Sequence, residues 1–282
     1  MAKALAYLAI ITRLRMAGTT VVWTVHNLSG HEQWHPRWAA WMWRRFTRRI
    51  DAYIALTAEG REAALLRYPN LRAVPGFVIP HGHYRDAYPR EATREMARKV
   101  LGVPASSRVI AFFGTVRPYK NVPALVAAFR DVPGEEWRLI VAGQPWSAAL
   151  RAQLRDAASQ DPRILLFPAF VPRQQVQLYL RAADLLVFPY REVLNSGSAL
   201  LALSFDRPVL IPERGAMAEL RELAGADWVR TFRGDLDAQT LIDAVCWAET
   251  TPRGASPPLD GLCWDAIAEQ TLHAYEVVRR VS

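Results

Sequence analysis

Four stretches of the chain carry residues whose types and spacing could do chemistry. The first is Gly114-Thr115-Val116-Arg117-Pro118-Tyr119-Lys120-Asn121, which sets a glycine and two cations between an apolar run and a helical one. Glycine lets a ligand approach the backbone, and a helix N-terminus with cations nearby suits a diphosphate. The plain alternative is a pair of solvated loop charges. The second is Pro189 to Ser198, where Glu192 precedes Asn195-Ser196-Gly197-Ser198 and an apolar helix from Ala199 to Ser204. Backbone N–H groups and hydroxyls there could meet an anion, or Asn195, Ser196 or Ser198 could simply cap the helix. The third is His26, at the end of a β-branched run, placed either for proton transfer and polarisation or for structure. His81 and His83 flank Gly82, but a tight loop explains them as well, and no His/Cys/Asp/Glu spacing supports a metal site. The fourth is Trp34 to Arg49. At helical period Trp38, Ala39, Met42, Trp43 and Phe46 share one arc, assigned to the core. Arg37, Arg44, Arg45, Arg48 and Arg49 crowd the other side with Trp34 and Trp41 among them. Arginine with interleaved tryptophan suits an anionic membrane interface. Nucleic acid is the rival partner, and a solvated face is the plain alternative.

These stretches sit between elements that alternate. Lys3 to Met16 reads as a helix that breaks at Gly18; although Met1 to Thr12 is apolar, Arg13 and Arg15 follow and no small-residue cleavage site marks a signal peptide. Thr20 to Val25 is a strand, Trp34 to Arg49 a helix and Ile50 to Leu56 a strand. Thr57 is placed to cap a helix running through Arg67, and Val74 to Ile79 is a third strand. Residues 83–106 are polar, contain a helix from Glu91 to Leu101, and are the candidate connection between domains. Strands are then expected at 108–113, 138–142, 164–167, 185–189 and 208–211, with helices between them and near 216–223, 241–249 and 264–281. This alternation is that of two parallel α/β units in series, and such sheets bind ligands past the carboxyl ends of their strands.

Composition agrees with a folded α/β chain. Of 282 residues 51% are hydrophobic and 22% charged, which excludes wholesale disorder. Two cysteines exclude a disulfide framework, and no apolar run is long enough to span a bilayer. The net charge is +8, and all of it lies in residues 1–90, since 91–282 balance. One part of the chain is therefore suited to an anionic partner.

Taken together, several motifs resemble those of GT-B glycosyltransferases, most closely glycosyltransferase family 4. They are Val78-Ile79-Pro80-His81-Gly82, Gly114 to Asn121, Val141-Ala142-Gly143, Ala182-Ala183-Asp184-Leu185-Leu186-Val187-Phe188-Pro189, Arg207-Pro208-Val209 with Gly215 and Glu219, and Cys263-Trp264 through Tyr275. The resemblance implies two Rossmann-like domains: a partial N-terminal acceptor-side domain over 1–88, a nucleotide-sugar domain over 89–262, and a terminal helix over 263–282 that crosses back. A family member of this fold would open with an earlier strand and a glycine-rich loop. This chain enters at a helix, so its N-terminal domain is expected to be incomplete.

By the same resemblance Lys120 holds the donor diphosphate. Thr115 stands where the family has an arginine, and Arg117 is the substitute. The family's paired glutamates fall on Val193 and Leu201, with Glu192 one residue from the first. The donor set is thus Gly114, Arg117, Lys120, Glu192, Asn195, Ser196, Gly197 and Ser198, and His26 is the catalytic candidate. The membrane-facing set is Trp34, Arg37, Trp41, Arg44, Arg45 and Arg48. The implied activity is transfer of a hexose from a nucleotide-diphosphate sugar to a lipid-linked or polysaccharide-precursor acceptor, at the inner face of the membrane, with no metal, no further cofactor and no nucleic acid. A non-catalytic partner subunit and a nucleotide-sugar epimerase of the same architecture are the alternatives.

Overall fold

The computed structural model describes residues 2–28, 35–215 and 217–281. The chain divides into two compact units, Met1–Gly82 with Asp260–Ser282, and His83–Leu259. The division falls somewhat before the expected boundaries after 88 and 262, and the stretch 83–106 belongs to the second unit.

The first unit runs α1 (Ala2–Met16), β1 (Val22–Val25), α2 (Pro36–Thr47), β2 (Ala52–Ala55), α3 (Ala58–Arg67) and β3 (Gly76–Val78). Its strands pair in parallel in the order β1-β2-β3. All four residues of β2 are buried, as a central parallel strand requires. Thr57 caps α3 as expected, its Oγ1 accepting from the Gly60 N–H at 2.9 Å. On α1, Leu8 and Ile11 are buried, whereas Leu5, Tyr7, Ile10 and Leu14 are exposed.

On α2 the expected core arc holds only in part. Phe46 is buried and Trp43 packs on Trp23, with ring centroids 5.5 Å apart. Trp38 is half-buried and stacks on Trp41 at 4.7 Å. The two indoles cover each other, which helical period alone does not reveal.

The second unit runs α4 (Arg94–Leu101), β4 (Arg108–Phe113), α5 (Val122–Arg130), β5 (Trp137–Ala142), α6 (Ala148–Ser159), β6 (Ile164–Phe167), α7 (Val176–Ala182), β7 (Leu185–Val187), α8 (Gly197–Ser204), β8 (Val209–Pro212), α9 (Met217–Ala224), β9 (Val229–Phe232) and α10 (Ala238–Thr250). The chain then returns to the first unit as α11 (Trp264–Val281), whose Ile267 and Ala274 pack with Ile54 and Ile79. The second sheet is all parallel, in the order β6-β5-β4-β7-β8-β9.

Two expectations are corrected here. The helix expected from Glu91 starts at Arg94, because the Thr93 side chain accepts from the Met96 N–H and ends the turn there. The edge strand β9 was not foreseen; only Val229 of its four residues is fully buried, so it lacks the continuous apolar run of its neighbours.

Strand order fixes where a ligand can sit. From β4 the chain winds outward through β5 and β6, then restarts on the other side of β4 with β7, β8 and β9. The loops leaving β4 and β7 therefore diverge at the carboxyl end of the sheet, which opens a crevice at that switch point.

Candidate functional site

Both diphosphate-type loops leave the sheet at this switch point. Gly114 follows β4 with φ 126°, a conformation that favours glycine. A single turn over Pro118–Lys120 follows, and Asn121, at φ 53°, starts α5. The loop after β7 is tied to it by a hydrogen bond from the Arg191 N–H to the Tyr119 carbonyl at 2.9 Å. That loop ends at Ser196, whose Oγ caps α8 by accepting from the Ala199 N–H at 3.1 Å. The first N–H groups of α8, at Gly197 and Ser198, lie in the first turn, where helical N–H groups have no intrahelical acceptor.

Lys120 is the electrostatic centre of this arrangement. It is only 9% exposed, with Nζ 5.5 Å from the Tyr190 ring centroid and 5.9 Å from that of Phe112. Among the described residues no carboxylate pairs with it. Burial, with a smaller contribution from the Arg117 charge, pushes its pKa down to about 8. Tyr190 is buried, and burial raises its phenol well above the usual range.

These groups surround a cavity of ≈ 360 Å³ lined by Gly114, Thr115, Tyr119, Lys120, Tyr190, the run Asn195 to Ser198, Leu201, Tyr84 and Tyr88. A second cavity of ≈ 540 Å³ shares Tyr84, Tyr88, Gly114 and Thr115 with it and extends past Gly143 and Gln144 to Phe170 and Arg173. The combined space has Lys120 in the first cavity, Phe113, Phe170 and Arg173 in the second, and Tyr84 and Tyr88 on both. That combination suits a phosphate attached to a larger organic group.

Of the expected donor set, Gly114, Lys120, Asn195, Ser196, Gly197 and Ser198 come together here. Arg117 does not line the cavity; its guanidinium lies 4.2 Å from the Trp146 ring centroid. Glu192 is exposed and also outside the lining. His26 follows β1 in the first unit and is exposed. Arg37, Arg44, Arg45 and Arg48 are exposed on or beside α2, and Arg45 lies over the Trp41 ring. Trp34 lies outside the described residues. His81 bonds to the Gly82 carbonyl and packs on Trp264, in line with the tight-loop reading.

Sequence reasoning missed the four tyrosines of the lining. Tyr119 and Tyr190 lie inside two of the stretches singled out above, but no role was given to them. Tyr84 and Tyr88 lie in the stretch read as a connection. No helix among the described residues is long and apolar enough to cross a membrane.

Comparison with known proteins bears on this geometry. Residues 107–248 match the family model described as Glycosyl transferases group 1. The chain is 32% identical over 275 residues to the GDP-mannose:glycolipid 4-beta-D-mannosyltransferase of Xanthomonas campestris, covering 98% of this chain and 73% of that protein. It is 28% identical over 232 residues to the lipopolysaccharide core biosynthesis mannosyltransferase LpsB of Rhizobium meliloti, covering 78% of this chain and 62% of that one. Among solved structures it superposes on Anabaena HepE in complex with UDP-glucose with a TM-score of 0.74, at 15% identity, over 98% of this chain and 76% of that one.

Proposed function

Because the chain belongs to the group 1 glycosyltransferases and has the paired Rossmann-like units of the GT-B fold, we propose that it transfers mannose from GDP-mannose to a glycolipid acceptor. Hexose transfer from a nucleotide sugar is the activity of the family; the mannosyl donor and glycolipid acceptor are the reading supported by the Xanthomonas relative. The observation that carries it is Lys120, a buried ammonium with no ion-pair partner among the described residues, lining a cavity of donor size.

In this reading the bond between the sugar's anomeric carbon and the diphosphate oxygen breaks, and negative charge develops on that oxygen. Lys120, itself buried, and the first N–H groups of α8 meet it. The serine hydroxyls of Ser196 and Ser198, in the cavity lining, are offered to phosphate oxygens. The Tyr84 and Tyr88 wall supports the organic part of the donor. His26 is the candidate group for polarising the transferred sugar.

The acceptor end of the proposal is supported by the first unit. A groove of ≈ 370 Å³ between α1 and α2 is lined by Leu5, Leu8, Ala9 and Trp41 and rimmed by Arg13, Arg45 and Arg49. Apolar floor and cationic rim match an acyl or prenyl chain with an anionic head. The enzyme then works at the inner face of the membrane, as a peripheral protein. Turnover of GDP-mannose with extracted glycolipid tests the whole reading. Mannolipid formation with GDP-mannose and none with UDP-glucose is expected; the reverse preference would refute the donor assignment.

A further inference from the structure

We infer that Arg173 is the residue that selects a guanine base in the donor, with Phe170 as the surface on which that base stacks. The inference rests on the nucleotide-sugar reading above and extends it to the choice of base. The cavity of ≈ 540 Å³ adjoins the Lys120 cavity, sharing Tyr84, Tyr88, Gly114 and Thr115 with it. A diphosphate at Lys120 therefore has room beside it for the rest of a nucleotide. The unshared side of that room comes from the loops after β5 and β6, with Gly143 and Gln144 on one and Phe170, Val171 and Arg173 on the other.

Two side chains in this wall are uncommitted within the protein. Phe170 is 76% exposed, and among the described residues no other phenylalanine is left in solvent to that extent. An apolar ring in a cavity wall gains from being covered, and every nucleobase has a π face that can cover it. Arg173 opens the short turn Arg173–Gln175 and is exposed. It forms no ion pair among the described residues, and it is the one charged side chain in the lining. Its guanidinium fork is therefore available to a ligand.

The chemistry of that fork distinguishes the bases. Guanine presents O6 and N7 as adjacent acceptors, and two parallel N–H donors of an arginine meet both. Adenine sets an amino donor beside N7, which opposes one arm of the fork. Uracil presents O4 with no second acceptor beside it. No carboxylate lines the cavity to accept from the N1–H and 2-amino groups of guanine. Recognition is thus assigned to the O6/N7 edge, and the 2-amino group is expected to count for little. Phe170 supplies affinity without discrimination, because stacking tolerates any base; Arg173 supplies the discrimination.

Isothermal titration of the full chain with GDP, inosine diphosphate and 7-deaza-GDP tests this edge by edge. Inosine diphosphate lacks the 2-amino group and is expected to bind within about threefold of GDP. The 7-deaza analogue lacks N7 and is expected to bind at least about tenfold more weakly. Arg173→Ala is expected to bring GDP down to the level of the 7-deaza analogue. Arg173→Gln, whose amide matches the N6/N7 edge of adenine, is expected to move the preference toward ADP. Phe170→Ala is expected to weaken all of these ligands alike. Equal binding of GDP and 7-deaza-GDP by the wild type, or a preference that survives Arg173→Ala, overturns the assignment of Arg173 while the donor reading stands. Unchanged affinity in Phe170→Ala overturns the stacking role. Binding of UDP with none of GDP overturns both this inference and the donor reading.

Discussion

A Cβ atom on Gly143 would fall 2.1 Å from the carbonyl oxygen of Gly114. The glycine that ends β5 thus holds the backbone of the donor loop after β4, and Gly143 is itself at φ 141°. Gly143→Ala meets both a backbone clash and an unfavourable conformation, and neither has a flexible side chain to yield. We expect it to destabilise the second unit by at least about 2 kcal/mol and to displace Gly114. Urea unfolding followed by tryptophan fluorescence checks the first effect, and GDP affinity checks the second. Wild-type stability with wild-type affinity would show that the two loops are not coupled.

A pH dependence follows from Lys120, whose pKa is lowered to about 8 in the free protein. The unfolded chain carries the ordinary lysine value, so between about pH 8 and 10.5 it binds more protons than the folded state. Stability from this group is therefore lowest below pH 8 and recovers as pH rises through that window. In the role proposed for Lys120, donor binding runs the other way, since the diphosphate would need the ammonium. GDP affinity is expected to fall above about pH 8 in the wild type. Titration at pH 7 and 9.5 measures it, and equal affinities would contradict the charge assignment.

The pair Arg98–Asp184 should be a strong stability determinant with no contact to the donor cavity. Arg98 is buried and donates to the carbonyls of Ala182, Ala105 and Ser107 as well as to Asp184. Asp184 also accepts from the Val109 N–H at 2.8 Å. Asp184→Ala leaves a buried guanidinium without its counter-charge, and a loss of about 3–5 kcal/mol is expected. Chemical denaturation reads it, and a loss under about 1 kcal/mol would mean that water replaces the carboxylate.

The basic face of α2 makes a separate prediction. Arg44 and Arg48 are exposed, so reversing them to glutamate should leave the fold intact. Each cation near an anionic surface contributes about 1 kcal/mol, so the double reversal should weaken binding to anionic vesicles by at least about 30-fold. Sedimentation with phosphatidylglycerol-containing and neutral vesicles measures this. Equal binding to both kinds of vesicle, before and after the change, would remove the membrane assignment.

Much of this architecture was legible in the sequence because parallel strands buried on both faces read as apolar runs. Arg108–Phe113, Trp137–Ala142 and Ile164–Phe167 stand out in that way, and the loops after β4 and β7 followed directly. The edge strand β9 did not, since it alternates Val229-Arg230-Thr231-Phe232 beside solvent. Arg117 and Glu192 carry charge two residues and one residue from the positions the family uses, but Arg117 lies on Trp146 and Glu192 is exposed outside the lining. Spacing carries no information on which way a loop side chain turns. The arginine cluster around Asp184 and Asp206 was invisible for a related reason: its members come from Arg90 to Arg253 and meet only when the sheet closes.

We propose that Lys120 is kept buried and charged for the donor diphosphate. Its depressed pKa corresponds to roughly 3 kcal/mol spent on holding an ammonium in that pocket. Thermal unfolding of Lys120→Met, with and without GDP, separates the two halves of the claim. The free variant is expected to melt no lower than the wild type, since an apolar side chain of similar length removes a buried charge, while the stabilisation by GDP disappears. A variant that keeps the wild-type GDP shift would contradict the account.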